Sequence, residues 1–316
     1  MGNQTILNEL FFSGLSDVPG LQFPLFLFFL LIYLLTSIWN LLIIVLIVTD
    51  SHLHVPMYFF LGNLAGLDLC YSSVTVPRML FDLHTKTRKI SIRACITQVF
   101  FFIFFMGCEA FLLAVMSYDR YIAICQPLHY TQVMLWKVCI QLVSIVCCLS
   151  FTNSLIHTLS AFSLTFCKSN IIESFLCDLP QLFRLSCSDM FISILLIFLS
   201  TLSLGVAAFS VTFLSYVYVF KTIVGIKMKD GRLKAFSTCS SHLTVVSIYY
   251  VTSFFNYFQP QAKNFLAGRL VSVVCRLLSL FYTVVTPLLN PIIYSLRNTD
   301  LKRALQKALS GKGFIP

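Results

Sequence analysis

The chain has 316 residues, of which 58% are hydrophobic and only 11% are charged. Because soluble domains carry about 25% charged residues, this composition excludes a soluble globule and indicates a chain that crosses a membrane several times. The net charge of +10 would fit a nucleic-acid-binding domain, but a mean hydropathy of +0.88 argues against one. Basic residues beside apolar segments instead fit anionic headgroups, so we expect membrane lipid and no nucleic acid as a partner.

Seven apolar segments reach the length of about 20 residues that a membrane-spanning helix requires. In chain order they are Phe23–Val48, Pro56–Val76, Ala94–Cys125, Val138–Cys167, Met190–Phe220, Ala235–Ala262 and Leu277–Leu296. We expect the end of the fourth segment to leave the membrane. The fifth would be on the order of 46 Å long as a helix, against a hydrocarbon core of about 30 Å, so it should tilt or project into solvent.

A short helix after the seventh segment completes the predicted architecture. In Thr299–Leu309, Lys and Arg alternate with Leu and Ala at helical spacing, which predicts an amphipathic helix on the membrane surface; a frayed basic tail is the alternative. We therefore predict an all-α, seven-transmembrane helix bundle with a short amphipathic C-terminal helix. Residues 1–22 form the extracellular segment, 23–296 the membrane domain and 297–316 the cytoplasmic tail.

The N-terminal segment decides the predicted orientation. The basic cluster from Lys86 to Arg93 would lie outside, so the bias of basic residues towards the inside is weak. The N-terminal segment, however, has no Lys or Arg and contains Asn3-Gln4-Thr5, the only glycosylation sequon in the chain. We therefore predict a plasma-membrane protein with an extracellular N-terminus that is glycosylated at Asn3.

Four of the twelve cysteines lie outside the membrane, and the other eight lie in apolar segments as small packing residues. Cys95 is at the outer end of the third segment, and Cys167, Cys177 and Cys187 are in the long loop after the fourth. The exterior is oxidising, so disulfides are permitted there. Four cysteines allow three pairings, and their spacing does not choose among them.

Polar groups at similar depth inside the membrane indicate a functional core. Asp68, Glu109, Asn40 and Asn290 would lie roughly 10–18 Å above the inner boundary of their helices. Two carboxylates at one depth repel each other, and a bound cation, water molecules or a shared proton would relieve the repulsion. We interpret the group as an ion-binding or water-filled switch core; polar helix packing without a regulatory role is the alternative.

Three motifs lie towards the inner side. Asp119-Arg120 near the end of the third segment places a charge pair at the membrane edge, where it is a plausible two-state latch. Pro291, within Asn290–Tyr294, predicts a kink, with Asn290 available to satisfy the freed backbone groups. Cys239 and His242 share a helical face and could bind a soft metal, but we favour a polar helix face and predict no metal site.

These motifs, taken together in their order, resemble those of odorant receptors, in the class A (rhodopsin-like) G-protein-coupled family. The resemblance extends from about Asn3 to Leu309. The matching motifs are Pro56–Leu64, Met116–Tyr130, Ser215-Tyr216, Lys234–Leu243 and Pro287–Asn298.

The resemblance implies a set of roles. Agonist binding would activate the olfactory stimulatory G protein and raise cAMP in olfactory cilia, and the receptor itself would carry out no catalysis. It implies the disulfides Cys95–Cys177 and Cys167–Cys187, and a sodium site at Asp68 and Glu109 as the one candidate cofactor site. The implied inner switch comprises Asp119, Arg120, Tyr121, Tyr216, His242, Asn290, Pro291 and Tyr294.

A ligand pocket is expected in the outer half of the bundle, where apolar residues and a few polar ones recur at helical spacing and comparable depth. That these residues face a pocket is implied by the resemblance. The candidates are Phe102, Ile103, Met106, Gly107, Ser200, Thr201, Leu204, Tyr250, Ser253, Phe254, Tyr257, Leu280 and Thr283.

The candidate set contains no acidic residue, which disfavours an amine ligand. Arg276 could meet a carboxylate or carbonyl, but we favour its extending to water. The sequence Tyr249-Tyr250-Val251 departs from the family's usual Phe-Tyr-Gly, and the missing glycine could alter the pocket. We expect agonist contacts near Tyr250 and Tyr257 to bias the sixth helix outward, after which Arg120 leaves Asp119.

Three other classes of function compete with an odorant receptor. A class A receptor for a non-odorant metabolite is the nearest, and the sequence does not separate the two. A transporter predicts internal repeats or interrupted helices in both halves, and the sequence contains neither. An intramembrane hydrolase needs a metal cluster at spanning depth, whereas the six histidines are scattered.

Overall fold

Seven long helices form the body of the protein in a computed structural model, which describes residues 9–15, 18–85, 87–167, 169–226, 229–257, 274 and 276–310. At a few helical positions, among them Phe254 and Tyr257, it describes the backbone alone. We number the helices I to VII: Pro19–Thr49, Pro56–Thr85, Ile92–Cys125, Trp136–Phe162, Phe191–Gly225, Lys229–Tyr257 and residues 276–297.

Six of these helices are long and apolar enough to cross a membrane, within the described residues. Helix VI begins in a basic and serine-rich stretch and packs against helices III, V and VII, which completes the predicted bundle of seven. The described exterior of the bundle is rich in exposed Leu, Ile, Val and Phe. An exposed apolar surface of this extent marks contact with a membrane or with a partner, and its position around spanning-length helices fits a membrane.

Two helix ends differ from the predicted segments for identifiable reasons. Helix II continues past the predicted end at Val76 to Thr85, because Arg78 and Asp82 form an ion pair of 2.9 Å one turn apart and need not leave the helix. Helix IV ends at Phe162 rather than Cys167, as expected for a segment whose last part leaves the membrane.

Helices V and VII each contain one π turn. In helix V it covers Thr201–Gly205, between α-helical segments Phe191–Ser200 and Val206–Gly225. In helix VII it covers Phe281–Val285, before the last helical segment Thr286–Arg297. Such turns shift the side chains that follow around the helix axis and often lie at functional sites.

A small sheet closes the outer end, which the all-α prediction did not include. Strand β1 (Glu9–Phe12) pairs antiparallel with β2 (Lys89–Ser91) and parallel with β3 (Ile171–Ile172). Leu10 and Phe12 of β1 are buried at 0% and 3% exposure. The N-terminal strand is therefore part of the packed outer core.

The outer loops are held by the two disulfides that the resemblance implied, Cys95–Cys177 and Cys167–Cys187. Arg276 donates hydrogen bonds to the carbonyls of Glu173 (3.3 Å) and Gly14 (3.2 Å). Sequence analysis considered a ligand partner or a side chain extending to water for Arg276, and it named neither of these carbonyls. The guanidinium instead fastens the N-terminal segment to the long loop.

The predicted amphipathic helix is present at Thr299–Leu309. Asn298 caps it by accepting from the backbone N–H groups of residues 300 and 301. The Tyr58 hydroxyl of helix II lies 3.0 Å from both Asn298 Oδ1 and Asp300 Oδ2. Leu301 is buried at 2% exposure, so the helix is docked on the bundle and is not a frayed tail.

Candidate ligand-binding site and conformational switch

A cavity of about 550 Å³ lies among helices III, IV, V and VI. This volume is within the range of small-molecule sites. Eight of the predicted ligand-contacting residues line it: Ile103, Met106, Gly107, Ser200, Thr201, Leu204, Tyr250 and Ser253. No Asp, Glu, Lys or Arg is among its described lining residues.

Three predicted pocket residues lie elsewhere. Phe102 packs between Tyr71 and Tyr282, with ring centroids at 5.6 and 5.7 Å. Thr283 is fully buried and donates its hydroxyl to the Ser279 carbonyl at 2.6 Å. Leu280 packs against the same outer core. No described residue of helix VII lines the cavity, and the side chains of Phe254 and Tyr257 lie outside the described part of the chain.

Sequence analysis missed twelve of the lining residues. Two of them, Asn153 and His157, are polar and lie one turn apart on helix IV. A polar pair at this spacing in an apolar segment was a readable signal. The others are Ala110, Phe111, Leu179, Ile197, Gly205, Val206, Ala208, Phe209, Tyr249 and Val251.

Close helix contacts shape the cavity wall. A Cβ atom added at Gly107 would lie 3.1 Å from Ser150 Oγ, so the glycine lets helices III and IV approach. Tyr249 donates its hydroxyl to the Met106 carbonyl at 2.9 Å, which joins helix VI to helix III. The Tyr250 ring meets helix V at Phe209, edge to face. A ligand here would contact helix VI directly through Tyr249 and Tyr250.

The buried acidic core assembles as the predicted depths indicated. Asn290 Nδ2 lies 3.1 Å from each carboxylate oxygen of Asp68 and 3.4 Å from Glu109 Oε1. All three residues are at most 4% exposed. One amide group cannot neutralise two carboxylates, so this geometry favours an added cation or proton.

Asn40 and Asn290 have partners that their sequence-based interpretations did not name. Asn40 is fully buried and donates to the carbonyls of Thr36 and Pro287 at 3.0 Å, and the second bond joins helix I to helix VII. Asn290 directs its amide to the two carboxylates and not to the backbone groups freed by Pro291. The last segment of helix VII continues through Pro291 to Arg297.

An aromatic cluster occupies the inner side. The Tyr216 hydroxyl lies 2.6 Å from His242 Nδ1, and the His242 and Tyr294 rings are 6.4 Å apart. His242 Nε2 and the Tyr294 hydroxyl are buried without a hydrogen-bond partner in the described residues. Tyr121 packs on Tyr218 of helix V at 5.7 Å. The predicted residues of helices III, V, VI and VII therefore meet.

The predicted contact between Asp119 and Arg120 is not present. Asp119 Oδ1 accepts a hydrogen bond from the Tyr130 hydroxyl at 2.9 Å, and none of the described ion pairs includes Arg120. The reason is geometric, because adjacent residues on a helix do not face each other. Cys239 packs beside Tyr216 in the inner apolar cluster, and the described residues contain no group of three or more His, Cys, Asp or Glu side chains that could hold a metal ion.

Comparisons with known proteins decide the family. The profile of the olfactory receptor family matches residues 29–312. The chain is 46% identical to human olfactory receptor 5B12 over the full length of both. It is 44% identical to mouse olfactory receptor 5AR1, covering 98% of each chain, and 46% identical to human olfactory receptor 7C1, covering 99% and 96%. The chain belongs to the olfactory receptor family.

Membership in this family confirms several predictions for this olfactory receptor. It is an odorant receptor of the G-protein-coupled class and a multi-pass membrane protein. The predicted seven-transmembrane fold is confirmed. Relatives named as olfactory receptors do not favour the non-odorant metabolite receptor, and the family is one of receptors, not enzymes.

The long outer loop of this olfactory receptor contributes one lining residue. Leu179 begins the short helix Leu179–Leu185, which Asp178 caps by accepting from the Gln181 N–H at 3.1 Å. Asp178 is 4% exposed. Burial raises the pKa of its carboxyl from 3.8 to about 6, although the bond from Gln181 and the nearby Arg184 charge oppose the rise.

Proposed function

We propose that this olfactory receptor binds a small volatile molecule in the cavity among helices III to VI and then activates the olfactory stimulatory G protein, which raises cAMP. The cavity itself carries this proposal. Its wall is mostly apolar, its described lining has no charge, and its polar groups are few, as in sites for small neutral molecules. We place the N-terminus outside, with Asn3 glycosylated, in the plasma membrane of olfactory cilia.

The signal passes by a shift between two conformations. An agonist favours the active state only as far as it binds that state more tightly. Tyr249 and Tyr250 meet the ligand on helix VI, and the same helix carries His242 about two turns earlier in the chain. An outward shift of this helix breaks the Tyr216–His242 bond and opens the inner cluster. Arg120 is then presented to the G protein.

A sodium ion held by Asp68 and Glu109 stabilises the resting state in this proposal. Carboxylate oxygens are the ligands that hard cations prefer, and two buried carboxylates share one amide here. Raising sodium chloride should raise the thermal stability of the purified receptor above that in equal N-methylglucamine chloride. The difference should vanish in Asp68→Asn; a difference that persists there would exclude this site.

The proposed function is tested by expressing the chain in cells together with the olfactory G protein and an export chaperone. Cyclic AMP is recorded against a panel of odorants for the wild type and for Arg120→Ala. At equal surface expression, the variant should lose the odorant response. A response that survives the substitution would exclude the proposed role of Arg120. If the receptor reaches the cell surface and no odorant raises cAMP, the proposal that it binds small volatile molecules is contradicted.

A further inference from the structure

Helices IV and V form a polar wall of the cavity, and Tyr249, Tyr250 and Ser253 of helix VI are further polar residues in its lining. Asn153 and His157 lie one turn apart on helix IV, so both project from the same face. Ser200 of helix V meets His157, with its hydroxyl 3.0 Å from His157 Nε2, and also lines the cavity. Much of the rest of the lining is apolar. The polar group of a ligand would therefore be bound at this wall.

The hydrogen bonds of Ser200 favour one tautomer of His157. The Ser200 hydroxyl has one proton, and it donates that proton to the Ile197 carbonyl at 3.0 Å. Ser200 therefore accepts from His157, and Nε2 carries the hydrogen. In the neutral ring, Nδ1 then has a lone pair and is an acceptor. No described residue bonds Nδ1, and no carboxylate in the described lining favours a charged ring.

Asn153 adds the complementary groups. Its half-buried carboxamide lines the cavity and has no hydrogen bond to another described residue. It offers two N–H donors and one carbonyl acceptor. Residues four apart on a helix have Cβ atoms about 5–6 Å apart, so one ligand atom can reach both side chains. The wall thus presents an acceptor and a donor to the same point.

We propose that this receptor selects odorants that carry a hydroxyl group, which donates to His157 Nδ1 and accepts from Asn153 Nδ2. The inference rests on the proposed function of the cavity. An alcohol satisfies both side chains, whereas a ketone or ester has only acceptors and leaves Nδ1 unpaired. A hydrocarbon leaves both side chains unpaired. In a buried site, leaving a hydrogen-bonding group without a partner costs more free energy than forming the bond contributes.

The test compares alcohols, ketones and hydrocarbons on the same carbon skeletons, for example 2-octanol, 2-octanone and octane among several such sets. In the cAMP assay the alcohol of a responding set should be about tenfold more potent than the ketone. His157→Phe should erase that preference by weakening the alcohol alone. Asn153→Leu should weaken the alcohol and the ketone together. Equal potency in the wild type, or equal losses in His157→Phe, would overturn the proposal.

Two further variants separate ligand recognition from damage to the fold. Thr152→Val removes a hydroxyl from an exposed neighbour on the same helix and should leave every potency unchanged. His157→Gln keeps a polar group that can accept and should retain part of the alcohol preference. If His157→Phe reaches the surface poorly, the comparison of His157→Gln with the wild type decides in its place.

Binding to the purified full-length receptor distinguishes failure of this inference from failure of the proposed function. A ligand that binds the native state raises the thermal midpoint. Alcohols should raise it more than their ketones in the wild type and no more in His157→Phe. If this pattern appears while cAMP stays silent, the hydroxyl site stands and the signalling proposal fails. If no alcohol preference appears, the inference is overturned whatever the cAMP result.

Discussion

The buried carboxyl of Asp178 makes the outer loop more stable in mild acid. Its pKa is about 6 in the folded receptor against an ordinary value of 3.8. The folded state therefore binds the proton more tightly than the unfolded state. The resulting stabilisation is complete below pH 3.8 and is lost as the pH rises through about 6.

The magnitude follows from these two pKa values. Each pKa unit corresponds to about 1.4 kcal/mol, so acidification from pH 7.5 to 5.0 should contribute about 1.4 kcal/mol from Asp178. For a protein of this size, that corresponds to a rise of roughly 2–4 °C in the thermal midpoint. The Asp178→Asn variant keeps an acceptor for the Gln181 N–H but cannot titrate. At pH 7.5 this variant should be more stable than the wild type.

The assay is thermal unfolding of the purified receptor at pH 7.5 and 5.0. The measured quantity is the pH-induced change in the wild type minus that in Asp178→Asn, which cancels other titrating groups. Asp189→Asn is the matched control, because Asp189 also accepts from a backbone N–H in this loop but is exposed. If Asp178→Asn and the wild type respond equally to pH, the argument from burial is refuted.

Three further substitutions test the packing. Leu10→Asp should abolish surface expression, because a charge would replace a fully buried side chain of β1, whereas Phe11→Asp, at an exposed position of the same strand, should be tolerated. Gly107→Ala should lower stability by about 1–3 kcal/mol in thermal unfolding, and adding Ser150→Ala should recover part of the loss, because Ser150 Oγ is the atom approached. Tyr216→Phe should cost about 1–3 kcal/mol by leaving its histidine partner unpaired; an unchanged thermal midpoint would contradict this.

The spans and the acidic core were predictable because they depend on distances along one helix. Apolar length locates each span, and rise per residue gives depth. Asp68, Glu109 and Asn290 were predicted at similar depth, and they meet. The outer sheet was not predictable in this way, since β1 has four residues and pairs with two distant segments of the chain.

Which side of a helix faces the cavity was harder to predict than its depth. A membrane helix can be apolar all round, so hydrophobic periodicity does not distinguish lipid from protein neighbours. Phe102 and Ile103 were both predicted to line the cavity, yet only Ile103 does. The π turn in helix V also changes which residues face inward, and a regular helical period does not predict such a turn.

Partners of polar residues were the least predictable feature. Asp119 and Arg120 are adjacent in sequence, but adjacency on a helix separates side chains by about 100°, and Asp119 bonds to Tyr130 in the following loop. Asn153 and His157, four residues apart, do share a face and reach the same cavity. Polar residues in a span are therefore better paired by helical spacing than by adjacency. That rule would have predicted the polar wall from the sequence.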